Sequence, residues 1–258
     1  MKSKRITEIG LKAQIKLEWL EYTANLVSAG YDKHAIESSL QELLREKLSV
    51  GSAAKYGSRG KTISILKRIW VKAPSEVEGL RKRGLFLFNQ LPNEERIVLH
   101  WGMSIAAYPF VGAVAGSVGR LLRLQGTASA SQVQRRLKEK YGERETVSRA
   151  TRHVLRNFIE WGVLHDSSNP GVYIAGEVRS VIKPEVIAWL IECILMINEN
   201  DTLSLRMALE SPMLFPFKVA SISSDFLGRL GNIQVIHHGL NEELLMLKKV
   251  GSRNKLAY

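Results

Sequence analysis

The most restrictive feature of the sequence is the run Ile97–Gly119, which contains no Asp, Glu, Lys or Arg. Its 23 residues are enough to cross a bilayer as one helix, so a membrane span is one interpretation. Pro109 lies inside the run, however, and proline interrupts a helix because it lacks an N–H and clashes with the preceding turn. We therefore predict two buried helices that break at Pro109. The small residues Gly112 and Gly116 would let a neighbouring helix approach closely.

The stretch 111–173 predicts three helices followed by a β-hairpin. The first helix carries an apolar stripe and stops at Gly126. Ser129 and Gln132 form a predicted capping box at the start of the second helix, and Thr146 is the predicted N-cap of the third. Two short apolar runs around a polar tip then form the hairpin. This is the element order of a winged helix-turn-helix, although similar arrangements also serve as protein-interaction modules.

The third predicted helix has an apolar face and a polar face. The residues predicted to be buried recur at helical spacing and are Val147, Ala150, Val154, Leu155, Phe158 and Trp161. The predicted exposed face carries Ser148, Arg149, Arg152, His153 and Arg156. Arginine reads guanine bidentately or binds phosphate, and the N-terminal part of a recognition helix reaches the bases. We predict base contacts by Ser148, Arg149 and Arg152, with His153 beside them, and a phosphate contact by Arg156.

Further contacts with DNA are predicted around this helix and in a second basic region. The second helix contributes Arg135 and Arg136, and the polar hairpin tip contributes Asn169. Between residues 45 and 83 there are eleven Lys or Arg and three Glu. Gly and Ser beside cations suit phosphate contact, which yields the candidates Lys55, Arg59, Lys61, Arg81, Lys82 and Arg83. A solvated basic surface is the alternative interpretation of that region.

Composition favours a polyanionic partner and no recognisable catalytic chemistry. The net charge is +12 and the pI is near 9.8, which indicate nucleic acid or an anionic membrane surface. Cys193 is the single cysteine, which fits a reducing cytoplasm. The sequence shows no secretory signal, nucleophile elbow, HExxH motif or metal-ligand spacing among its six histidines. We expect a non-enzymatic protein without metal or cofactor.

These patterns predict a mainly α fold in three regions. Residues 1–92 form a basic helical N-terminal region, with helices expected over 6–28 and 32–48. Residues 93–180 form the winged helix-turn-helix, with its preceding helix and its short β-hairpin wing. Residues 181–258 form a helical region that completes the core. Within the last region we expect a strand over 232–238 and a final helix over 241–249.

The order of features resembles BrxA, a small accessory protein family of BREX phage-defence systems. The resemblance rests on the N-terminal helical region, on Arg59-Gly-Lys-Thr62 followed by Ile65-Leu66, and on Ser131–Leu164, which ends Asn157-Phe-Ile-Glu-Trp-Gly-Val-Leu164. It covers roughly the first 200 residues. It implies a mostly helical, cytoplasmic, non-enzymatic protein that binds double-stranded DNA beside the other BREX components. A winged-helix transcriptional regulator and a basic protein-interaction scaffold are the alternatives.

Overall fold

The computed structural model describes residues 8–48, 57–238 and 242–248, and within these ranges the fold is mainly α-helical. The helices are α1 (Leu17–Ser28), α2 (Lys33–Leu43), α3 (Ser58–Leu66), α4 (Glu78–Phe88), α5 (Ile97–Ala107), α6 (Pro109–Gln125), α7 (Ala130–Tyr141), α8 (Glu145–Glu160), α9 (Pro184–Ile197), α10 (Leu205–Leu209) and α11 (Ser224–Arg229). A π-helical turn, Lys67–Val71, continues α3. The strands are β1 (Thr127–Ser129), β2 (Leu164–Asp166), β3 (Val172–Ala175), β4 (Arg179–Val181), β5 (Thr202–Ser204), β6 (Phe217–Val219), β7 (Ile233–His238) and β8 (Glu242–Leu247).

The uncharged run folds as the predicted pair of buried helices, α5 and α6, which meet at Pro109 with a bend of 116°. Every residue of α5 is buried. Close packing explains the glycines: a Cβ added at Gly102 would lie 2.3 Å from the Trp189 ring, and one at Gly112 would lie 2.4 Å from Ile197. Both neighbours belong to α9. Among the described residues no single helix has the length and apolar character to cross a membrane, although α5 and α6 together with the turn before them pass that test as a bent pair.

The N-terminal segment differs from the prediction. A helix was expected from Ile6, but α1 begins only at Leu17, and residues 8–16 are irregular. Main-chain groups of this segment bind α8 instead: the Ile15 N–H donates to Asn157 Oδ1 at 2.9 Å, and the Ala13 carbonyl accepts from Asn157 Nδ2 at 3.1 Å. Partners on a distant helix therefore replace the bonds that a local helix would have supplied.

The C-terminal region is not wholly helical, which corrects the prediction for residues 181–258. The strand expected over 232–238 is confirmed as β7. The helix expected over 241–249 is wrong where the chain is described, because Glu242–Leu247 forms β8. This strand pairs antiparallel with both β5 and β7, and Leu245 is fully buried between them. An apolar run as short as residues 244–247 has no clear period, so the neighbouring strands decide its conformation.

The C-terminal elements repeat the order of the central ones. The series α6, β1, α7, α8, β2, β3 corresponds to α9, β5, α10, α11, β7, β8, except that β6 lies between α10 and α11, and each of the two three-stranded sheets has its third strand in the middle. In both units a serine at the end of the first strand caps the next helix: Ser129 accepts from the Gln132 N–H, and Ser204 accepts from the Met207 N–H. The two units differ in charge. Residues 109–175 contain ten Lys or Arg and five Asp or Glu, whereas residues 184–248 contain four Lys or Arg and eight Asp or Glu. Of these two units, the central one therefore has a net positive charge and the C-terminal one a net negative charge.

A buried histidine joins α5 to α1 and to the turn after α3. The Trp70 Nε1–H donates to His100 Nδ1 at 3.0 Å, so the neutral ring carries its proton on Nε2. That nitrogen lies 2.9 Å from Glu21 Oε2, and Arg96 contacts Oε1 of the same carboxylate at 2.7 Å. Burial lowers the pKa of His100. Burial alone would raise the pKa of Glu21, but hydrogen bonds from His100 and Arg96 outweigh it and lower that pKa.

We predict that the protein loses stability in mild acid because of His100. An unfolded histidine titrates near pH 6.5, whereas the folded His100 resists protonation. The unfolded chain therefore binds more protons below that pH, and the free energy of unfolding falls as the pH drops from about 7 to about 5. Denaturant melts across this range measure the slope, which should flatten in His100→Gln. His165→Gln, which changes an exposed histidine, is the control and should keep the slope. An unchanged slope in His100→Gln would assign the acid sensitivity to other groups.

Candidate nucleic-acid interface

The predicted helices and hairpin of the central unit are present, and β1 adds a third strand. β1 and β2 flank β3, and both pair with it antiparallel. Gly126 ends α6 with a left-handed φ of 73°, as predicted. Ser129 caps α7, but the Gln132 side chain accepts from the Ser129 hydroxyl at 3.0 Å and does not close the predicted capping box. The predicted N-cap Thr146 is wrong by two residues, since α8 begins at Glu145 after Arg144.

One face of α8 is fixed in the core. Its apolar residues are buried as predicted: Val147, Ala150, Val154, Leu155 and Phe158. At its C-terminal end Trp161 stacks edge-on against Trp101 with ring centroids 6.2 Å apart, and its Nε1–H donates to the Ile15 carbonyl at 2.8 Å. Together with the Asn157 bonds to residues 13 and 15, this contact holds α8 against the N-terminal segment. The orientation of the opposite face is therefore fixed.

The opposite face of α8 gathers three guanidinium groups. Arg149, Arg152 and Arg156 are exposed, and the Arg152 side chain is 50 % exposed while its Nη2 lies 2.9 Å from Glu145 Oε1. His153 lies among them and is half-buried. Its pKa is lowered, first by burial and then by the charges of Arg156, Arg149 and Arg152. The face thus presents three permanent charges around a histidine that resists protonation. We call Arg149, Arg152 and Arg156 the arginine face.

Ser148 is buried, which corrects the prediction that it lies on the exposed face and removes the reason for proposing it as a base contact. Only 5 % of the residue is exposed, because it follows Val147 on the side of α8 that meets the core. A serine is typical of a polar face, but the position of Ser148 on the helix indicates burial. Thr146 is the exposed hydroxyl of the first turn and was missed because it was interpreted as a cap. The residues available near the start of α8 are therefore Thr146, Arg149 and Arg152.

The remaining candidates of the central unit lie on α7 and on the hairpin tip. Arg135 is exposed and lies 4.0 Å from Glu139, and Arg136 is half-buried. Asn169 is exposed at the tip, where its N–H donates to Ser167 Oγ at 3.1 Å and its carbonyl accepts from the Val172 N–H at 3.1 Å. These hydrogen bonds use the main-chain groups of Asn169 and stabilise the turn.

Three of the six predicted phosphate contacts in the basic N-terminal region, Arg59, Arg81 and Arg83, are engaged within the chain, which corrects the expectation that their side chains are solvated or available to phosphate. Arg59 donates to the Arg45 carbonyl at 2.6 Å and to the Leu48 carbonyl, beyond the C-terminal end of α2. Arg81 donates to Glu78 and to the Trp70 carbonyl, and its side chain is 11 % exposed. Arginine side chains held in this way stabilise the fold and have few donors left for a ligand.

The other four predicted contact residues of this region have separate outcomes. Arg83 pairs with Glu192, a buried carboxylate on α9 whose pKa is raised by burial despite the arginine. Lys61 and Lys82 are exposed and keep their predicted availability. Lys55 lies outside the described residues. The arginine face is therefore the largest group of predicted contact residues that the fold brings together in the open.

Comparison with family models, with curated proteins and with solved structures returned no match for this chain. Among the described residues, no group of three or more His, Cys, Asp and Glu side chains is arranged to hold a metal ion.

Proposed function

We propose that the protein binds duplex DNA through the arginine face of α8. The observation that carries this proposal is the exposure of Arg149, Arg152 and Arg156 on one side of a helix whose other side is buried. The element order of the central unit supports the proposal, since three helices followed by a hairpin are typical of a winged helix-turn-helix, in which α8 would be the recognition helix and β2–β3 the wing.

The chemistry of the arginine face suits both bases and phosphates. A major groove admits one α-helix, and the first turns of that helix reach the base edges. Thr146, Arg149 and Arg152 are therefore the proposed base contacts, and Arg156 is a proposed phosphate contact. Arg135 and Arg136 on α7 and Asn169 on the hairpin tip would bind the flanking backbone. Glu145, which pairs with Arg152, would repel phosphate and orient that guanidinium.

We further propose that the protein is a cytoplasmic, non-enzymatic accessory protein of a BREX phage-defence system. In this role it would bind duplex DNA and contact other BREX components. The support for this role is the resemblance to BrxA in Arg59-Gly-Lys-Thr62 and Ser131–Leu164. A transcriptional regulator would use the same arginine face on a palindromic site, and a scaffold would use it on an acidic protein. Binding to duplex DNA in the absence of any protein partner separates the scaffold from the other two.

Salt titration of duplex binding tests the proposal. We expect affinity for a fluorescent duplex to fall at least about fortyfold between about 50 and 200 mM salt, as for the three proposed phosphate contacts of Arg135, Arg136 and Arg156. Single-stranded DNA of the same sequence should bind more weakly, since α8 needs a groove. Fluorescence anisotropy measures both. A duplex affinity that does not change with salt concentration would contradict the proposal. Equal affinities for the duplex and the single strand would contradict binding by a helix in the major groove.

A further inference from the structure

The parallel pair β4–β6 leaves one edge of β4 open. Arg179 and Val181 direct their main-chain groups to β6: the Arg179 N–H donates to the Pro216 carbonyl at 3.0 Å, and the Val181 carbonyl accepts from the Ala220 N–H at 3.0 Å. Successive residues in a strand direct these groups to opposite edges, so those of Val178, Ser180 and Ile182 point away from β6. In the described part of the chain, no other strand pairs with β4.

Exposure around this edge is unusual for a parallel sheet. Such sheets are normally covered on both faces, and two strands alone are marginal in water. Here Val178 is 54 % exposed and Ile182 is 72 % exposed. Residues 177–183 also form one wall of a groove of about 660 Å³, and residues 91–98 contribute to the other. An added strand would cover these apolar side chains.

We propose that this edge pairs with the same edge of a second copy of the chain, antiparallel about a two-fold axis at Ser180. The sequence Glu177-Val-Arg-Ser-Val-Ile-Lys183 is self-complementary in that register. Glu177 faces Lys183 of the partner subunit, and Val178 faces Ile182 of the partner subunit. Each contact occurs twice, as the symmetry of an isologous dimer requires. Opposite charges and paired β-branched residues both stabilise cross-strand neighbours.

The hydrogen-bond geometry supports the same register. In an antiparallel ladder, hydrogen-bonded pairs recur at every second residue. With Ser180 opposite its own copy, the bonded pairs involve residues 178, 180 and 182, whose main-chain groups already point to the open edge. The pair of Glu177 and the partner's Lys183 then falls at a position without main-chain bonds, where side chains lie closer. A register shifted by one residue would place main-chain groups that bond β6 against the second copy.

Oligomeric state measured by sedimentation, without DNA, tests this proposal independently of the proposed function. We expect a reversible dimer with a Kd on the order of 10 µM, because a short edge and its groove bury an area at the low end for specific interfaces. Ser180→Pro removes the central outward N–H and leaves the bonds to β6 intact. It should weaken the dimer at least tenfold, whereas Ser180→Ala keeps the outward N–H at the same exposed position, should leave the dimer nearly unchanged and serves as the control.

Charge reversal tests the register. Glu177→Lys and Lys183→Glu should each weaken the dimer, because each places like charges opposite one another. The double variant restores opposite charges and should recover the dimer, while the melting temperature of each variant reports any loss of the contacts with Arg179 and Glu95 inside one chain. A monomer at all concentrations would overturn the proposal. A dimer whose Kd is unchanged by Ser180→Pro would also overturn it, as would a double variant that fails to recover the Kd of the parent dimer.

Discussion

Replacing Arg149 and Arg152 by Glu should abolish duplex binding while the protein remains folded. Each lost contact costs about 1–3 kcal/mol, and the new carboxylates also repel phosphate, so we expect binding to weaken at least a hundredfold. Stability should hardly change, because both side chains are exposed and the pair of Arg152 with Glu145 is a surface contact. Fluorescence anisotropy and a thermal melt on the same sample measure the two effects.

A matched variant separates a specific surface from net charge. Arg206 and Arg229 are exposed arginines of the C-terminal unit, and replacing both by Glu changes the net charge by the same amount. This control should bind duplex within about threefold of the parent, since distant charges are screened beyond about 10 Å at 0.1 M salt. If the two double variants lose the same amount of duplex affinity, binding depends on the net charge of the protein and not on the arginine face.

Asn157→Ala should lower the stability of the protein much more than the substitutions on the arginine face. Asn157 is fully buried, and it satisfies both the Ile15 N–H and the Ala13 carbonyl. Alanine leaves these groups without partners and opens a small cavity, so we expect the free energy of unfolding to fall by about 2–4 kcal/mol. Denaturant unfolding measures the loss, and limited proteolysis should show earlier cleavage within residues 8–16.

Gln14→Ala is the control for that substitution. Gln14 lies in the same segment but is exposed, and its side chain only reaches Glu160 at 3.5 Å. Its removal should change stability by less than about 0.5 kcal/mol. If Asn157→Ala unfolds at the same denaturant concentration as this control, the N-terminal segment does not hold α8 in place.

Periodicity and chain-breaking residues predicted the helical parts of the fold well. Pro109 placed the break between α5 and α6, and Gly126 placed the end of α6, because both act through the local backbone. Residues 8–16 and 242–247 were predicted as helices and are not. Their conformation depends on partners far along the chain, Asn157 in one case and the strands β5 and β7 in the other. Local patterns cannot show such partners.

The same distinction explains the outcome for the candidate site. Arg149, Arg152 and Arg156 were placed on one exposed face because their spacing alone determines it. Arg59, Arg81 and Arg83 carry the same charge in the sequence, but carbonyls and carboxylates of neighbouring elements bind them. Whether an arginine is available to a ligand depends on tertiary contacts. The buried contact of His100 with Glu21 and Trp70 was missed for the same reason, since those residues come from three separate elements.

Photo-cross-linking to a duplex that carries 5-bromouracil, followed by mass spectrometry, locates the contact surface most directly. If α8 lies in the major groove, cross-linked peptides should fall within residues 145–156 and at the hairpin tip, 166–171. The parent and the Arg206→Glu, Arg229→Glu control should give the same peptides, and the Arg149→Glu, Arg152→Glu variant should give none. Cross-links confined to residues 57–88 or to the C-terminal unit, with residues 145–156 unlabelled, would contradict DNA binding through α8.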